Sequence, residues 1–281
     1  MDCWYFDACT AVGRRVPFAT VASLAFAAAA TLSAYYAGSD MILASLGAEK
    51  LDSEIPEQRE FHNVVTEMAL ASGSKMPKVY VIYDPAPNAL ATGTNDKNTA
   101  ICVTTGLLTL LSREETQGVV AHEMSHIRNK DVLLMTLVSI LVGGIAILAD
   151  GSRRVTYSSR VGRRVGEKLF LLPALLLIIL SPIIAQVLAM AVSRQREYLA
   201  DATAVEYTRN PLGLAKALEK IRSDGMAFQR ATRGTAHLFF VNPLARRLES
   251  REGFVADLLS SHPPINRRIL LLYQMAGLPT K

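Results

Sequence analysis

Three long runs without a charged residue interrupt an otherwise polar chain. They cover Val16–Ser39, Val132–Ala149 and Leu169–Ser193. A helix needs roughly 20 apolar residues to cross the hydrocarbon core of a bilayer. We therefore predict a transmembrane anchor over residues 16–39 and a transmembrane hairpin over residues 132–193.

The first run has two interpretations. A basic start, here Arg14 and Arg15, followed by an apolar middle is common to secretory signal peptides and to membrane anchors. A signal core is only about 7 to 15 residues long, and Tyr35 and Tyr36 stand where aromatic residues mark a membrane interface. We predict an anchor, preceded by an N-terminal tail over residues 1–15.

The polar segments carry the patterns of secondary structure. Apolar residues recur at helical spacing over Leu51–Ser72, and the runs Lys78–Tyr83 and Asn98–Thr104 are typical of strands. A capping box that begins at Ser112 and ends at Glu115 opens the next helix. The prediction is a mainly α fold with a small β-sheet, an α+β domain fused to transmembrane helices.

Composition supports contact with lipid. Half of the 281 residues are hydrophobic and 20% are charged, while the mean hydropathy is +0.23, which disfavours a purely soluble enzyme. The net charge is +5, and six basic residues gather in the loop 150–168. Because this loop lies between two apolar runs, it is typical of a membrane-flanking segment, and we predict no nucleic-acid partner.

The most specific pattern is the sequence from His122 to His126, an H-E-x-x-H motif on the helix that Ser112 opens. Residues four apart lie one turn above each other, so both imidazoles can reach one Zn²⁺. Glu123 lies between them, where a carboxylate can take a proton from attacking water and return it to the leaving amine. The alternative is an amphipathic helix whose two histidines bind nothing.

A catalytic zinc site needs a third protein ligand. The remaining histidines are His62, His237 and His262. Glu197 is the better candidate because it begins the helix that leaves the third apolar run. Asp201 lies four residues on, where it can accept the second N–H of a ligand imidazole. The alternative for this acidic pair is a solvated helix face with neighbouring arginines as partners.

Further motifs occur in order between about Thr31 and the C-terminus. They are Asn88-Ala-Leu-Ala-Thr-Gly93, Val103-Thr-Thr-Gly-Leu-Leu108, His122 to Ile127, Ser193-Arg194 with Arg196-Glu197 and Ala200-Asp201, and Ser261-His262-Pro-Pro264 with Arg268-Ile269. Together they resemble the HtpX family of membrane zinc proteases, a bacterial branch related to the CAAX prenyl proteases. The resemblance implies a zincin-type catalytic domain built from residues 40–131 and 194–281.

The same resemblance implies a gluzincin with one Zn²⁺ per subunit. His122, His126 and Glu197 would bind the ion. Glu123 would act as general base and acid, and Asp201 would support a ligand histidine. This agrees with the assignment of Glu197 from its place in the chain.

Two residues near the C-terminus gain roles only through the resemblance. His262 would donate to the oxyanion of the tetrahedral intermediate. Arg268 would support that histidine or contact a carbonyl of the bound peptide. The alternative for both is a Pro-Pro helix start with an exposed basic first turn.

Substrate binding is expected at the edge of the small sheet. Zincin proteases typically pair an extended peptide with an edge strand, which gives affinity with little side-chain selectivity. The stretch from Asn88 to Gly93 is the expected edge, and its candidate substrate-binding residues are Asn88, Ala89, Leu90 and Ala91.

Two arguments disagree about which side of the membrane the predicted catalytic domain faces. His126 and Glu197 must meet on one ion, so a hairpin that spans twice places the loop 150–168 across the membrane from the site. Positive residues near the apolar ends number eight on the loop side and five on the catalytic side, which opposes a cytoplasmic site. The resemblance implies a cytoplasmic site in the bacterial inner membrane, and we follow it. The alternative is a hairpin that does not fully cross.

The leading hypothesis is a membrane-bound zinc endopeptidase that cuts misfolded or damaged membrane proteins. Its partners would be unfolded protein substrates and the lipid bilayer, and the sequence does not predict an oligomeric state. An intramembrane-cleaving protease is disfavoured because Glu114, Glu115, Arg128 and Lys130 flank the motif, and each charge costs at least ~2.5 kcal/mol at the bilayer centre. A non-catalytic scaffold with a structural metal site would not need Glu123.

Overall fold

A computed structural model describes residues 32–33, 35–95, 98–140, 194–226, 228, 230–232, 235–241 and 263–278 of the chain. Within these ranges no helix is both long enough and apolar enough to cross a bilayer. The predicted tail 1–15, basic loop 150–168 and apolar run 169–193 lie outside them, as do most of the first apolar run and half of the second. The anchor and the hairpin therefore stay predictions.

Helices and one four-stranded sheet share the core of the described residues. The helices are α1 (35–46), α2 (Pro56–Ser72), α3 (Thr105–Leu110), α4 (Arg113–Arg128), α5 (131–140), α6 (Arg194–Thr208), α7 (Pro211–Asp224) and α8 (Ile265–Met275). The strands are β1 (Glu49–Lys50), β2 (Lys78–Ile82), β3 (Ala89–Thr92) and β4 (Ala100–Thr104). The prediction of a mainly helical fold with a small sheet is confirmed.

The sheet is mixed, in the order β1-β2-β4-β3. β2 and β4 run parallel, with Lys78 opposite Ala100, and both outer strands are antiparallel to their neighbours. β2 and β4 fall within the two predicted strand runs. β3 is an outer strand and occupies most of the expected substrate edge.

Helix α2 starts later than its apolar pattern. The pattern begins at Leu51, whereas the helix begins at Pro56, because proline lacks the N–H that the first helical position does not use and its fixed φ suits that position. The apolar side of α2 buries Phe61, Val64 and Met68 in the main core. The helix ends at Gly73, whose φ of 64° suits a residue without a Cβ.

Helix α4 lies at the centre of the domain. The predicted capping box is present: the Ser112 side chain accepts from the Glu115 N–H, and the Glu115 carboxylate accepts from the Ser112 N–H. The helix packs against α2, α6 and α7, so it is buried on several sides. Its contact with α7 is close, because a Cβ on Gly118 would lie 2.8 Å from the Leu214 Cα. These three helices fix the position of α4 along its axis and its rotation about that axis, and so fix the H-E-x-x-H motif that it carries.

Helix α5 connects the motif helix to the sheet edge. Lys130, with a φ of 60°, separates α4 from α5 and redirects the chain. In α5, the Thr136 hydroxyl accepts from the Gly93 N–H at 3.1 Å and bonds the Thr92 hydroxyl at 3.0 Å. The end of β3 is therefore held beside the segment that follows the H-E-x-x-H motif.

Candidate metal centre

Three buried side chains converge between α4 and α6. The Nε2 atoms of His122 and His126 lie 3.2 Å apart, and the Glu197 carboxylate lies 3.7 Å from the first and 3.5 Å from the second. Donors on one tetrahedral zinc are about 3.3–3.5 Å apart, since each bond is about 2.0–2.2 Å long. The two imidazoles and the carboxylate are therefore spaced for one Zn²⁺ and have the donor chemistry that zinc prefers.

Two helices far apart in sequence supply these donors. His122 and His126 occupy one face of α4 at a spacing of four residues, and Glu197 lies in the first turn of α6, which packs along that face. All three side chains are at most 6% exposed. Of the other histidines considered as third ligands, His62 is exposed on α2 and His262 lies outside the described residues.

Each imidazole contacts a carboxylate through Nδ1, the ring nitrogen that points away from the other donors. The Nδ1 of His122 lies 2.9 Å from Asp201, and the Nδ1 of His126 lies 3.2 Å from Asp131. A carboxylate at Nδ1 fixes the tautomer that leaves Nε2 free to bind a metal. Sequence reasoning anticipated Asp201 but missed Asp131, whose signal is its place five residues after His126, directly before the second apolar run.

The Arg268 guanidinium lies on Asp201. Its Nε and Nη2 donate to the two carboxylate oxygens at 2.8 and 2.7 Å, and its Nη1 donates to the Phe240 carbonyl at 3.4 Å. The guanidinium also lies 5.0 Å above the Phe240 ring. With a side chain only 2% exposed, Arg268 supports Asp201. The contact to His262 or to a substrate carbonyl that the resemblance implied stays a prediction.

Charge around the centre is predominantly negative. Burial acts to raise the pKa of Asp201, but the charge of Arg268 and the hydrogen bond to His122 outweigh it and hold the pKa well below its usual range. Burial and the charge of Glu197 raise the pKa of Glu123 to about 7, although His126 and Arg268 act against them. Four carboxylates and two arginines surround the imidazoles. This excess of carboxylates favours a divalent cation.

Glu123 links the centre to β3. Its carboxyl group is buried and hydrogen-bonded to the backbone of Ala91. Ala91 also lines a narrow cavity of about 10 Å³ next to the three donors, together with apolar side chains from α5 and from residues 238–240. Of the four expected substrate-binding residues, Ala91 is the one that lines this cavity.

The other expected substrate contacts are covered by the chain itself. The Phe240 N–H donates to the Ala89 carbonyl at 2.8 Å, and Leu90 forms an antiparallel bridge with Phe239. The Asn88 side chain donates to the Val241 carbonyl at 2.8 Å and accepts from the Val241 N–H at 3.2 Å. Residues 239–241 thus run along β3 as a further strand would, which leaves its Ala91 end toward the metal centre.

Comparisons with known proteins agree with this geometry. A family model described as Peptidase family M48 matches residues 56–276. The chain is 46% identical over 242 residues to a Protease HtpX homolog of Caldanaerobacter subterraneus, covering 84% of this chain and 78% of that protein. It is 40% identical over 265 residues to a Protease HtpX homolog of Listeria monocytogenes serovar 1/2a, covering 88% and 85%. The resemblance to the HtpX family is confirmed.

A solved structure shares the fold. The crystal structure of S. mikatae Ste24p matches with a TM-score of 0.51 at 18% identity, covering 91% of this chain and 57% of that one. The family model spans more than half of the chain, and the HtpX homologs match it over most of their length. This chain therefore belongs to peptidase family M48 and is a metalloprotease.

Proposed function

We propose that the chain is a zinc-dependent endopeptidase of the bacterial inner membrane that cuts misfolded or damaged membrane proteins. The observation that supports it most is the convergence of two imidazoles and the Glu197 carboxylate at the donor spacing of tetrahedral zinc. His122, His126 and Glu197 would hold one Zn²⁺ per subunit. When bound, this ion would polarise the peptide carbonyl and lower the pKa of water.

Glu123 is the proton-transfer residue in this proposal. It follows His122 directly in the chain and lines the same cavity as the three donors. It would accept a proton from the attacking water while the new carbon–oxygen bond forms, and would give that proton to the nitrogen as the carbon–nitrogen bond breaks. Asp201 and Arg268 would keep the His122 ring in place, and Ala91 would align the peptide backbone. His262 keeps the proposed oxyanion role that the family resemblance implies.

The decisive variant is Glu123→Gln in the purified full-length chain in detergent. We expect it to keep one zinc per chain and to lose casein cleavage by about 10²- to 10⁴-fold, the usual contribution of a general base. Glu114→Gln, on the exposed side of the same helix, is the matched control and should cleave like the parent protein. Zinc content is measured by mass spectrometry and cleavage by peptide release.

The metal ligands are tested in the same preparation. His122→Ala and Glu197→Ala should lose zinc together with activity. Full zinc occupancy in Glu197→Ala would show that another residue is the third ligand. A parent protein that binds zinc but cuts nothing would favour a structural metal site, whereas cleavage by Glu123→Gln would overturn the proposed mechanism.

The natural substrates need a different measurement. An edge strand that binds peptide backbone accepts unfolded chains with little regard to sequence, which fits a quality-control protease. Comparing the membrane proteomes of cells that carry the parent protein or Glu123→Gln should reveal unfolded membrane proteins that accumulate only with the inactive form.

A further inference from the structure

Asp131 binds two partners that belong to different halves of the domain. One oxygen, Oδ2, lies 3.2 Å from the Nδ1 of His126, and the other, Oδ1, accepts from Arg196 Nη1 at 2.7 Å. Arg196 directly precedes Glu197 in the first turn of α6. The Asp131 carboxylate thus connects the imidazole of His126 to the turn of α6 that carries Glu197.

The contact has the form of an orienting interaction. The Nε2 of His126 faces His122 and Glu197 at 3.2 and 3.5 Å, so its Nδ1 must carry the proton when Nε2 binds a cation. Asp131 is positioned to accept that proton in a hydrogen bond. Its side chain is only 9% exposed, and a buried carboxylate is costly without a charged partner, which Arg196 supplies.

The arrangement repeats at the other imidazole. His122 contacts Asp201, which is bound by Arg268, just as His126 contacts Asp131, which is bound by Arg196. The two pairs differ in burial, because the Arg268 side chain is 2% exposed and that of Arg196 is 43% exposed. Arg196 can therefore be substituted without leaving a cavity in the core, whereas Arg268 cannot.

We propose that Asp131 and Arg196 are positioning residues for the metal centre. Asp131 fixes the tautomer and the ring orientation of His126, and Arg196 ties that unit to α6, so that Glu197 stays at ligand distance from both imidazoles. This inference rests on the proposed zinc function of His122, His126 and Glu197. It adds two residues that act through the ligands and not on the substrate.

The chain contains a matched control pair. Lys220 lies 2.7 Å from Glu115, with side chains that are 43% and 7% exposed, against 2.7 Å, 43% and 9% for Arg196 and Asp131. The Lys220 pair also joins two helices, α4 and α7, but lies away from the three donors. Lys220→Met and Arg196→Met therefore remove ion pairs of matched length and exposure. Of the two, only the pair of Arg196 includes a carboxylate that contacts a metal-facing histidine.

The experiment measures zinc affinity in the full-length protein by competition with a chelator. Asp131→Asn and Arg196→Met should raise the zinc dissociation constant by about 10- to 100-fold. Lys220→Met should lower the melting temperature of the metal-free protein by a similar amount to Arg196→Met but leave zinc affinity within about twofold. Arg196→Lys should recover part of the lost affinity, because it restores the charge but not the guanidinium geometry.

Cobalt substitution gives a readout that does not depend on activity. The visible absorption of the Co²⁺ protein reports ligand geometry, so Arg196→Met should change the band positions or intensities and Lys220→Met should not. Equal zinc affinities and equal cobalt spectra for these two variants would overturn the positioning role. Should Asp131→Asn fail to fold, Arg196→Met carries the test alone.

The outcomes separate this inference from the proposed function. A parent protein that binds zinc without cleaving peptides would contradict the proposed function. The zinc affinities of Arg196→Met and Lys220→Met would still decide whether Asp131 and Arg196 are positioning residues. A parent protein that binds no zinc would contradict both.

Discussion

At the scale of single residues, the metal centre depends on charges that compensate one another inside the protein. Asp201 and Arg268 are both buried and bind each other through two hydrogen bonds of 2.7–2.8 Å. Such a pair adds little net stability compared with apolar side chains, but the removal of one partner leaves an uncompensated buried charge. Arg268 is therefore needed to compensate the buried Asp201 carboxylate and to keep it against His122, although the intact pair adds little net stability.

We expect Arg268→Ala to lower the free energy of unfolding by about 3–5 kcal/mol, because it leaves the Asp201 carboxylate buried without its cation. Zinc affinity should fall as well, since Asp201 orients His122. Chemical denaturation of the metal-free protein measures the first effect and chelator competition the second. Arg267→Ala, an exposed neighbour on α8, should change stability by no more than about 0.5 kcal/mol. Equal effects of the two substitutions would contradict this account.

At the scale of secondary-structure elements, one carboxylate both caps α4 and joins it to α7. Glu115 accepts from the Ser112 N–H at 2.7 Å and from Lys220 Nζ at 2.7 Å. Burial acts to raise the pKa of Glu115, but the hydrogen bonds from Lys220 and Ser112 and the charge of Lys220 hold it below its ordinary value. The ionised form therefore stabilises the motif helix where it meets α7.

This shift predicts how stability depends on pH. A carboxyl group with a lowered pKa in the folded state contributes its full stabilisation above the unfolded pKa, near 4.5, and loses it as the pH falls through the folded value. Glu115→Gln should be less stable than the parent protein at pH 7, and its melting temperature should fall less between pH 5 and pH 3. Lys220→Met should flatten the profile similarly. Parallel profiles for Glu115→Gln and the parent protein would rule out this contribution.

The elements that could be predicted from sequence are those set by local patterns. β2 and β4 appear as short apolar runs, and the capping box marks the start of α4. The pair His122 and His126 is a spacing on one helix, so it could be proposed without knowledge of the tertiary structure. β1 has two charged residues, Glu49 and Lys50, and no apolar pattern, so nothing in the sequence predicts it.

The features that could not be predicted arise from tertiary contacts. Asp131 reaches His126 because the chain turns at Lys130, whose positive φ is rare for a residue with a side chain. Residues 239–241 cover Asn88 and Ala89 although about 150 positions separate them. The position of Arg268 against Asp201 follows from the packing of α8 against α6 and α7. No periodicity in the sequence carries this information.

At the scale of the whole molecule, the proposed hairpin and the metal centre constrain each other. His126 precedes residues 132–193 and Glu197 follows them, yet their side chains lie 3.5 Å apart. Both ends of the proposed hairpin must therefore lie on the same side of the membrane. This places residues 40–131 and 194–281 on one side and the loop 150–168 on the other, if the hairpin spans twice.

Cysteine labelling tests the proposed cytoplasmic orientation. In a background with Cys3→Ser and Cys9→Ser, Lys75→Cys places a thiol on the exposed loop after α2, while the native Cys102 is buried. An impermeant maleimide should label Lys75→Cys only after the cells are lysed, because the proposed orientation places the catalytic side in the cytoplasm. Ser158→Cys, in the basic loop, should be labelled in intact cells. The reverse pattern would show that the count of positive residues gives the correct orientation.

Residues 239–241, which run along β3 as a further strand would, limit the part of β3 that is open to a peptide substrate. Because residues 239–241 already bond the backbone of β3 at Ala89, the proposed pairing of substrate with this strand would be confined to the short stretch around Ala91. Backbone pairing over so short a stretch would discriminate poorly between sequences, but it would require a substrate whose main chain is extended and free of its own hydrogen bonds. Loss of tertiary structure exposes such stretches at many points, whereas a native domain keeps its amides engaged. A protease that binds in the proposed way would select its targets by whether they are folded and not by their sequence.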